Sequence, residues 1–131
     1  MKKLIIVLLI FSAWLSADID WQKDIPSALS LAKQENKMLM VFVEGENCRW
    51  CKKMKYGTLG DEKVEQRLQA FIVVKVMQEN REAVKHLPVI DGVPTIFFIN
   101  SDKKLLQDVV GYFDVDDFIS YIDSVEKKVR K

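Results

Sequence analysis

The sequence predicts an α/β fold, a four-stranded mixed sheet with helices on both faces, and three observations carry that prediction. Residues 38 to 43 (MLMVFV), 71 to 77 (FIVVKVM) and 95 to 99 (TIFFI) are apolar runs too short for ordinary helices and of the right length for strands buried on both faces. Helical patterns lie before, between and after these runs. A four-residue polar link, Asn100 to Lys103, joins the third run to a fourth strand at Leu105 to Val110, which makes that pair an antiparallel hairpin.

Taken in order, residues 26 to 37 (PSALSLAKQENK) read as a helix: Pro26 suits a first turn, and Ile25, Ala28, Leu29 and Ala32 make an apolar stripe. The first strand follows, then a helix beginning near Arg49 that is expected to break around Gly57 to Gly60. Asp61 to Gln69 resumes a helical pattern with Val64 and Leu68 on one face. Two strands joined by helix imply a βαβ unit with parallel strands. Asn80 to Leu87 reads as a short helix or an irregular connection. Asp114 caps a final helix, whose Val115, Phe118, Ile119, Ile122, Val125 and Val129 recur at helical spacing.

The first 17 residues have a different character. Lys2 and Lys3 precede an apolar run from Leu4 to Leu15, and Ser16-Ala17 stands before Asp18, the order of a cleavable secretory signal peptide. The expected division is a signal peptide over 1–17 and one domain over 18–131. Export to the periplasm follows from it. Without Lys2 and Lys3, 18 basic side chains face 19 acidic ones, a net charge of about −1 that offers no electrostatic case for nucleic acid. So small a domain is expected to be a monomer.

An oxidising compartment favours structural disulfides, yet the chain has two cysteines in all, Cys48 and Cys51. Both fall where a buried strand hands over to a helix. The free N–H groups of a helix start stabilise a thiolate, and Cys48 is placed to feel them. A spacing of i, i+3 holds the two side chains close enough to join, while so short a loop gains little unfolded-state entropy; the pair suits exchange better than stapling. The alternatives are an inert bridge or a metal site. Tetrahedral zinc wants four ligands, and beyond the pair the chain offers His86 and carboxylates. Lys52 rather than histidine follows Cys51, which excludes covalent c-type haem. His86 as a base or copper ligand and Met54 as a ligand are weaker readings than solvated and core residues. No cofactor is expected beyond the Cys48–Cys51 disulfide.

The element order, Cys48-Arg49-Trp50-Cys51 after the first strand, and Gly92-Val93-Pro94-Thr95 before the third together resemble the thioredoxin superfamily, over residues 19 to 128. Trp21, the helix ending in Asn36-Lys37, Cys-Arg-Trp-Cys-Lys-Lys-Met and Gly111-Tyr112-Phe113 look most like small exported thioredoxin-like proteins of bacteria. The resemblance implies a thiol:disulfide oxidoreductase with Cys48 as attacking and Cys51 as resolving thiol. It implies a cis peptide bond before Pro94, a Val93 backbone that pairs with the substrate chain, and a shallow apolar surface of Trp50, Gly92, Val93, Pro94, Gly111 and Tyr112 around Cys48. Implied partners are protein thiols and disulfides and a membrane electron donor, with the chain acting as reductant or isomerase. A disulfide-forming oxidant and a non-catalytic chaperone or metal- or haem-delivery module are the alternatives. The chain departs from thioredoxins proper, which have Trp-Cys-Gly-Pro-Cys and a buried acid where Phe42 stands. Glu44, four residues before Cys48, is the acid expected to serve as proton acceptor for Cys51.

Overall fold

The computed structural model describes residues 19–130, so the signal-peptide reading of residues 1–17 lies outside the described residues. The elements are β1 (Trp21–Gln22), α1 (Ile25–Glu35), β2 (Met38–Glu44), α2 (Arg49–Lys53) running into a π-helical turn (Met54–Thr58), α3 (Glu62–Leu68), β3 (Phe71–Met77), α4 (Arg81–Val84), β4 (Thr95–Ile99), β5 (Leu105–Val110) and α5 (Val115–Val129). The sheet has five strands in the order β1-β3-β2-β4-β5. Strands β2 and β3 are parallel, and β2–β4 and β4–β5 are antiparallel, as the βαβ and hairpin readings require.

The four-strand expectation is corrected by β1, which pairs in parallel with β3 through Trp21 opposite Val73 and Gln22 opposite Val74. Two residues are too few to show a period of two. What makes them a strand is the free edge of β3, and that edge exists only once the sheet has formed.

Alternation along the central strands builds two cores. Met40, Phe42, Phe71, Val73, Ile96 and Phe98 face Met54, Leu59, Val64, Leu68, Phe118, Ile122 and Val125 from α2 and its π turn, α3 and α5. Leu39, Val41, Val43, Ile72, Val74, Val76 and Phe97 face Ile25, Ala28 and Ala32 of α1. Every residue from Leu39 to Val43 is fully buried, which is why the run carries no polar alternation.

Local chemistry sets the helix ends. The Asp24 carboxylate accepts from the Ser27 N–H at 2.7 Å, and that bond to the first turn holds its pKa below the ordinary carboxylate value. Asn36 closes α1 in the left-handed conformation at φ 53°. Asp114 caps α5 by accepting from the Asp117 N–H at 2.9 Å. On α3, Arg67 reaches Asp123 at 2.6 Å and Glu126 at 3.1 Å on α5, and its bond to Asp123 is the main cause of its raised pKa.

The break expected at Gly57 to Gly60 lies later than its first glycine. Gly57 sits within the π turn, and the Leu59 N–H bonds back to the Met54 carbonyl at 2.9 Å. The wider turn lets Met54, Thr58 and Leu59 all reach the interior, where they are at most 1% exposed. Thr58 donates its hydroxyl to the Phe113 carbonyl at 2.6 Å, tying the turn to the approach of α5. The chain leaves the helix at Gly60, where a Cβ would come within 2.6 Å of the Tyr56 carbonyl oxygen. Among the described residues no helix is long and apolar enough to cross a membrane.

Candidate active site

The site is assembled at the end of β2. Past Glu44 the chain turns through Gly45, Glu46 and Asn47, the last in the left-handed conformation at φ 52°. Cys48 then takes an extended conformation as the residue capping α2, and its Sγ accepts the Cys51 N–H at 3.1 Å. The two cysteines form a disulfide with their Cα atoms 5.2 Å apart. Their environments differ. Cys48 is half-buried at the rim, whereas Cys51 is 1% exposed inside the core beneath α2. The sulfur a partner can reach is therefore that of Cys48, and the N–H aimed at it stabilises negative charge there when the bond opens.

The loop before β4 lies against this turn. A Cβ on Gly45 would meet the Val93 side chain at 3.2 Å, so the glycine lets the two segments approach. The Val93–Pro94 peptide bond is cis. The Pro94 carbonyl accepts from the Gly111 N–H at 2.8 Å, and the Gly92 carbonyl accepts from the Thr95 hydroxyl at 2.6 Å. Gly111 adopts φ 102°, a conformation that suits glycine. No hydrogen bond among the described residues engages the Val93 N–H or C=O. Cys48, Val93 and Tyr112 pack on the same core that encloses Cys51.

Trp50, between the cysteines, is 47% exposed, and its ring lies 5.6 Å from that of Tyr112. Lys53 stands over both rings, with its Nζ 4.9 Å from the Trp50 centroid and 4.7 Å from that of Tyr112. In the sequence Lys52, Lys53 and Lys55 read equally as a solvated helix face or as an attraction for an acidic partner, and the structure puts Lys53 against the rings of the site. Its i, i+3 spacing from Trp50 was the available signal; its contact with Tyr112, far along the chain, left none.

Glu44 is nearly buried and pairs with Lys55 at 2.8 Å, with side chains 12% and 20% exposed respectively. Replacing its charge by Glu44→Gln strands the Lys55 ammonium where water is scarce. The expected loss is about 1–3 kcal/mol of stability after discounting for partial exposure, read as a lower denaturant midpoint at unchanged slope. Phe42, where thioredoxins proper carry an acid, is fully buried with its ring 6.3 Å from that of Trp21. Met54 is likewise a core residue. His86 is exposed and shares a cleft of about 520 Å³ with Pro26, Leu29, Lys33 and Asp102, none of them a residue of the Cys48 site. No group of three or more His, Cys, Asp or Glu able to hold a metal occurs among the described residues.

A rim cysteine disulfide-bonded to a buried one at a helix start, on a mixed sheet flanked by helices, defines a thiol:disulfide oxidoreductase of the thioredoxin fold. A family model described as thioredoxin-like matches residues 20–101, and the chain belongs to that family. It is 30% identical over 102 residues to the thiol:disulfide interchange protein DsbD of Actinobacillus pleuropneumoniae serotype 5b (strain L20); the match takes in 72% of this chain but spans only 17% of that protein. It is 28% identical over 123 residues to mouse anterior gradient protein 3, covering 86% of this chain and 73% of that one. Among solved structures, a thioredoxin from Thermus thermophilus superposes with a TM-score of 0.70 at 26% identity, over 82% of this chain and 86% of the other.

Proposed function

We propose that this chain is a periplasmic oxidoreductase that reduces or isomerises disulfides in exported proteins, recharged by a membrane electron donor and working as a monomer. The single observation carrying the reading is the asymmetry of the pair, with Cys48 reachable and Cys51 enclosed behind it. The interchange activity in the name of the DsbD relative supports the same chemistry.

The electrons pass through the two sulfurs. The Cys48 thiolate attacks one sulfur of a substrate disulfide, forming a mixed disulfide and expelling the other sulfur as thiolate. Cys51 loses its proton and attacks Cys48, which re-forms the internal disulfide and releases the second substrate thiolate. Two electrons pass to the substrate, and its two thiolates take up the two protons given up by the pair. Val93 offers an unengaged N–H and C=O on which an extended substrate segment lies as an added strand, beside Gly92, Gly111, Tyr112 and Trp50. Pro94 holds that turn in place. The Glu44 carboxylate, ion-paired with Lys55, is the base proposed to take the Cys51 proton, so Glu44→Gln also slows release of the mixed disulfide.

The deciding measurement is the reduction potential, obtained by equilibrating the protein in graded thiol/disulfide buffers and counting free thiols. A value near −270 mV, about that of thioredoxin, is expected for the reductant. The second reading, an oxidant, is favoured by the Cys51 N–H on Cys48 Sγ and by Arg49 next in the chain, because both stabilise the Cys48 thiolate and hence the reduced form. A value near about −120 mV would establish it. A pair that stays oxidised well below about −300 mV would overturn both readings and leave an inert bridge.

A further inference from the structure

Among the described residues four basic side chains are ion-paired and the others, those beside the cysteines included, are not. Lys55, Arg67, Lys85 and Arg130 are ion-paired with carboxylates of the chain itself. Arg49, Lys52 and Lys53, on the helix that carries the cysteines, have no ion pair with any described carboxylate. Two of these three lie against aromatic rings. The Arg49 guanidinium lies 5.6 Å from the Trp50 centroid, and Lys53 is held over Trp50 and Tyr112 together. A ring face attracts a cation but satisfies none of its N–H donors as a carboxylate would, so those donors remain available beside Trp50 and Tyr112.

Acidic side chains gather at the other side of the cysteine turn. Glu46 is exposed, and its N–H donates to the Glu79 carboxylate at 3.1 Å. That bond is the main cause of the lowered Glu79 pKa, so this end of the rim stays negative at neutral pH. A segment seated between Trp50 and Val93 thus meets positive charge at its Trp50 end and negative charge near Gly45.

We infer that Arg49 and Lys53, held on the Trp50 and Tyr112 rings, are specificity residues that select protein partners bearing Asp or Glu beside the reacting cysteine. The inference rests on the oxidoreductase reading, because only a partner engaged in disulfide exchange must bring a segment to Cys48. An apolar segment is disfavoured here, since covering the rings would strip water from two cations without pairing them. A basic segment is repelled. The exchange step is unchanged: two electrons still pass from the cysteine pair to the partner disulfide, and the cations alter how often and how long it is presented.

The test uses reduced protein and two disulfide peptides of one sequence, flanked by glutamates or by lysines, with rates read by acid quench and thiol alkylation. Each rate is divided by that of a small uncharged dithiol, which removes differences in peptide reactivity. The glutamate peptide is expected to react about tenfold faster at low salt, with the ratio approaching one at about 0.5 M sodium chloride. Lys53→Gln lowers the ratio about threefold, and Arg49→Glu with Lys53→Glu reverses it. Equal normalised rates, or a ratio untouched by these substitutions, would overturn the inference. Blockade by an oligonucleotide as effective as blockade by the glutamate peptide would overturn the commitment to a protein partner. Failure to react with either peptide and with oxidised glutathione would instead overturn the oxidoreductase reading.

Discussion

Replacing Cys48 with serine is expected to reduce disulfide exchange to background, while Cys51→Ser leaves the first attack intact and stops the reaction at the mixed disulfide. The difference follows from burial. Cys48 Sγ sits at the rim and accepts the Cys51 N–H, whereas Cys51 lies 1% exposed in the core and can reach only Cys48. Mass spectrometry of Cys51→Ser after incubation with a disulfide substrate should show one substrate thiol added per chain, removable by reductant. The same adduct on Cys48→Ser would reverse the assigned roles. Full biological function of Cys48→Ser, with partner binding retained, would support a non-catalytic thioredoxin-like module instead.

The largest expected loss of stability falls at Phe98. This side chain is fully buried in β4, with the Phe71 ring at 5.6 Å and the Phe118 ring at 6.3 Å, so it joins the sheet to α5 in the core that also encloses Cys51. Phe98→Ala removes that buried surface and leaves a void that β3 and α5 cannot close without moving. The expected cost is about 3–5 kcal/mol, and for a domain of this size a melting temperature lower by roughly 10–20 °C. Calorimetry of the oxidised protein checks it. A fall of only a few degrees would mean that the core collapses around the missing ring.

Much of the molecule follows from side-chain chemistry that acts over a few residues. The runs at 38–43, 71–77 and 95–99 could be read as buried strands because both faces of each are covered, and the structure places them at Met38–Glu44, Phe71–Met77 and Thr95–Ile99. Asp114 and the stripe behind it defined α5 because capping and helical spacing are local. The cysteine pair was legible for the same reason: strand, turn and helix start are consecutive in the chain.

What remained hidden depends on partners distant in sequence. Strand β1 exists only because β3 offers an edge to Trp21 and Gln22, and no pattern of two residues can announce that. The π turn at Met54–Thr58 reflects the joint demand of Met54, Thr58 and Leu59 for the interior, which outweighed the helix-breaking tendency of Gly57. Sequence position placed Glu44 near the cysteines and gave no sign of its partner, yet folding brought Lys55 to 2.8 Å from it. Lys53 became a fixed cation only when the chain beyond β5 delivered Tyr112 to its other side. By itself the sequence determined the central strands, the longer helices and the place of the cysteine pair at a strand-to-helix turn, since these rest on short-range hydrogen bonding and hydrophobic periodicity. Tertiary structure alone decided how deeply Cys51 is enclosed and which charges surround the pair, because burial and pairing belong to surfaces that exist only after distant segments pack together.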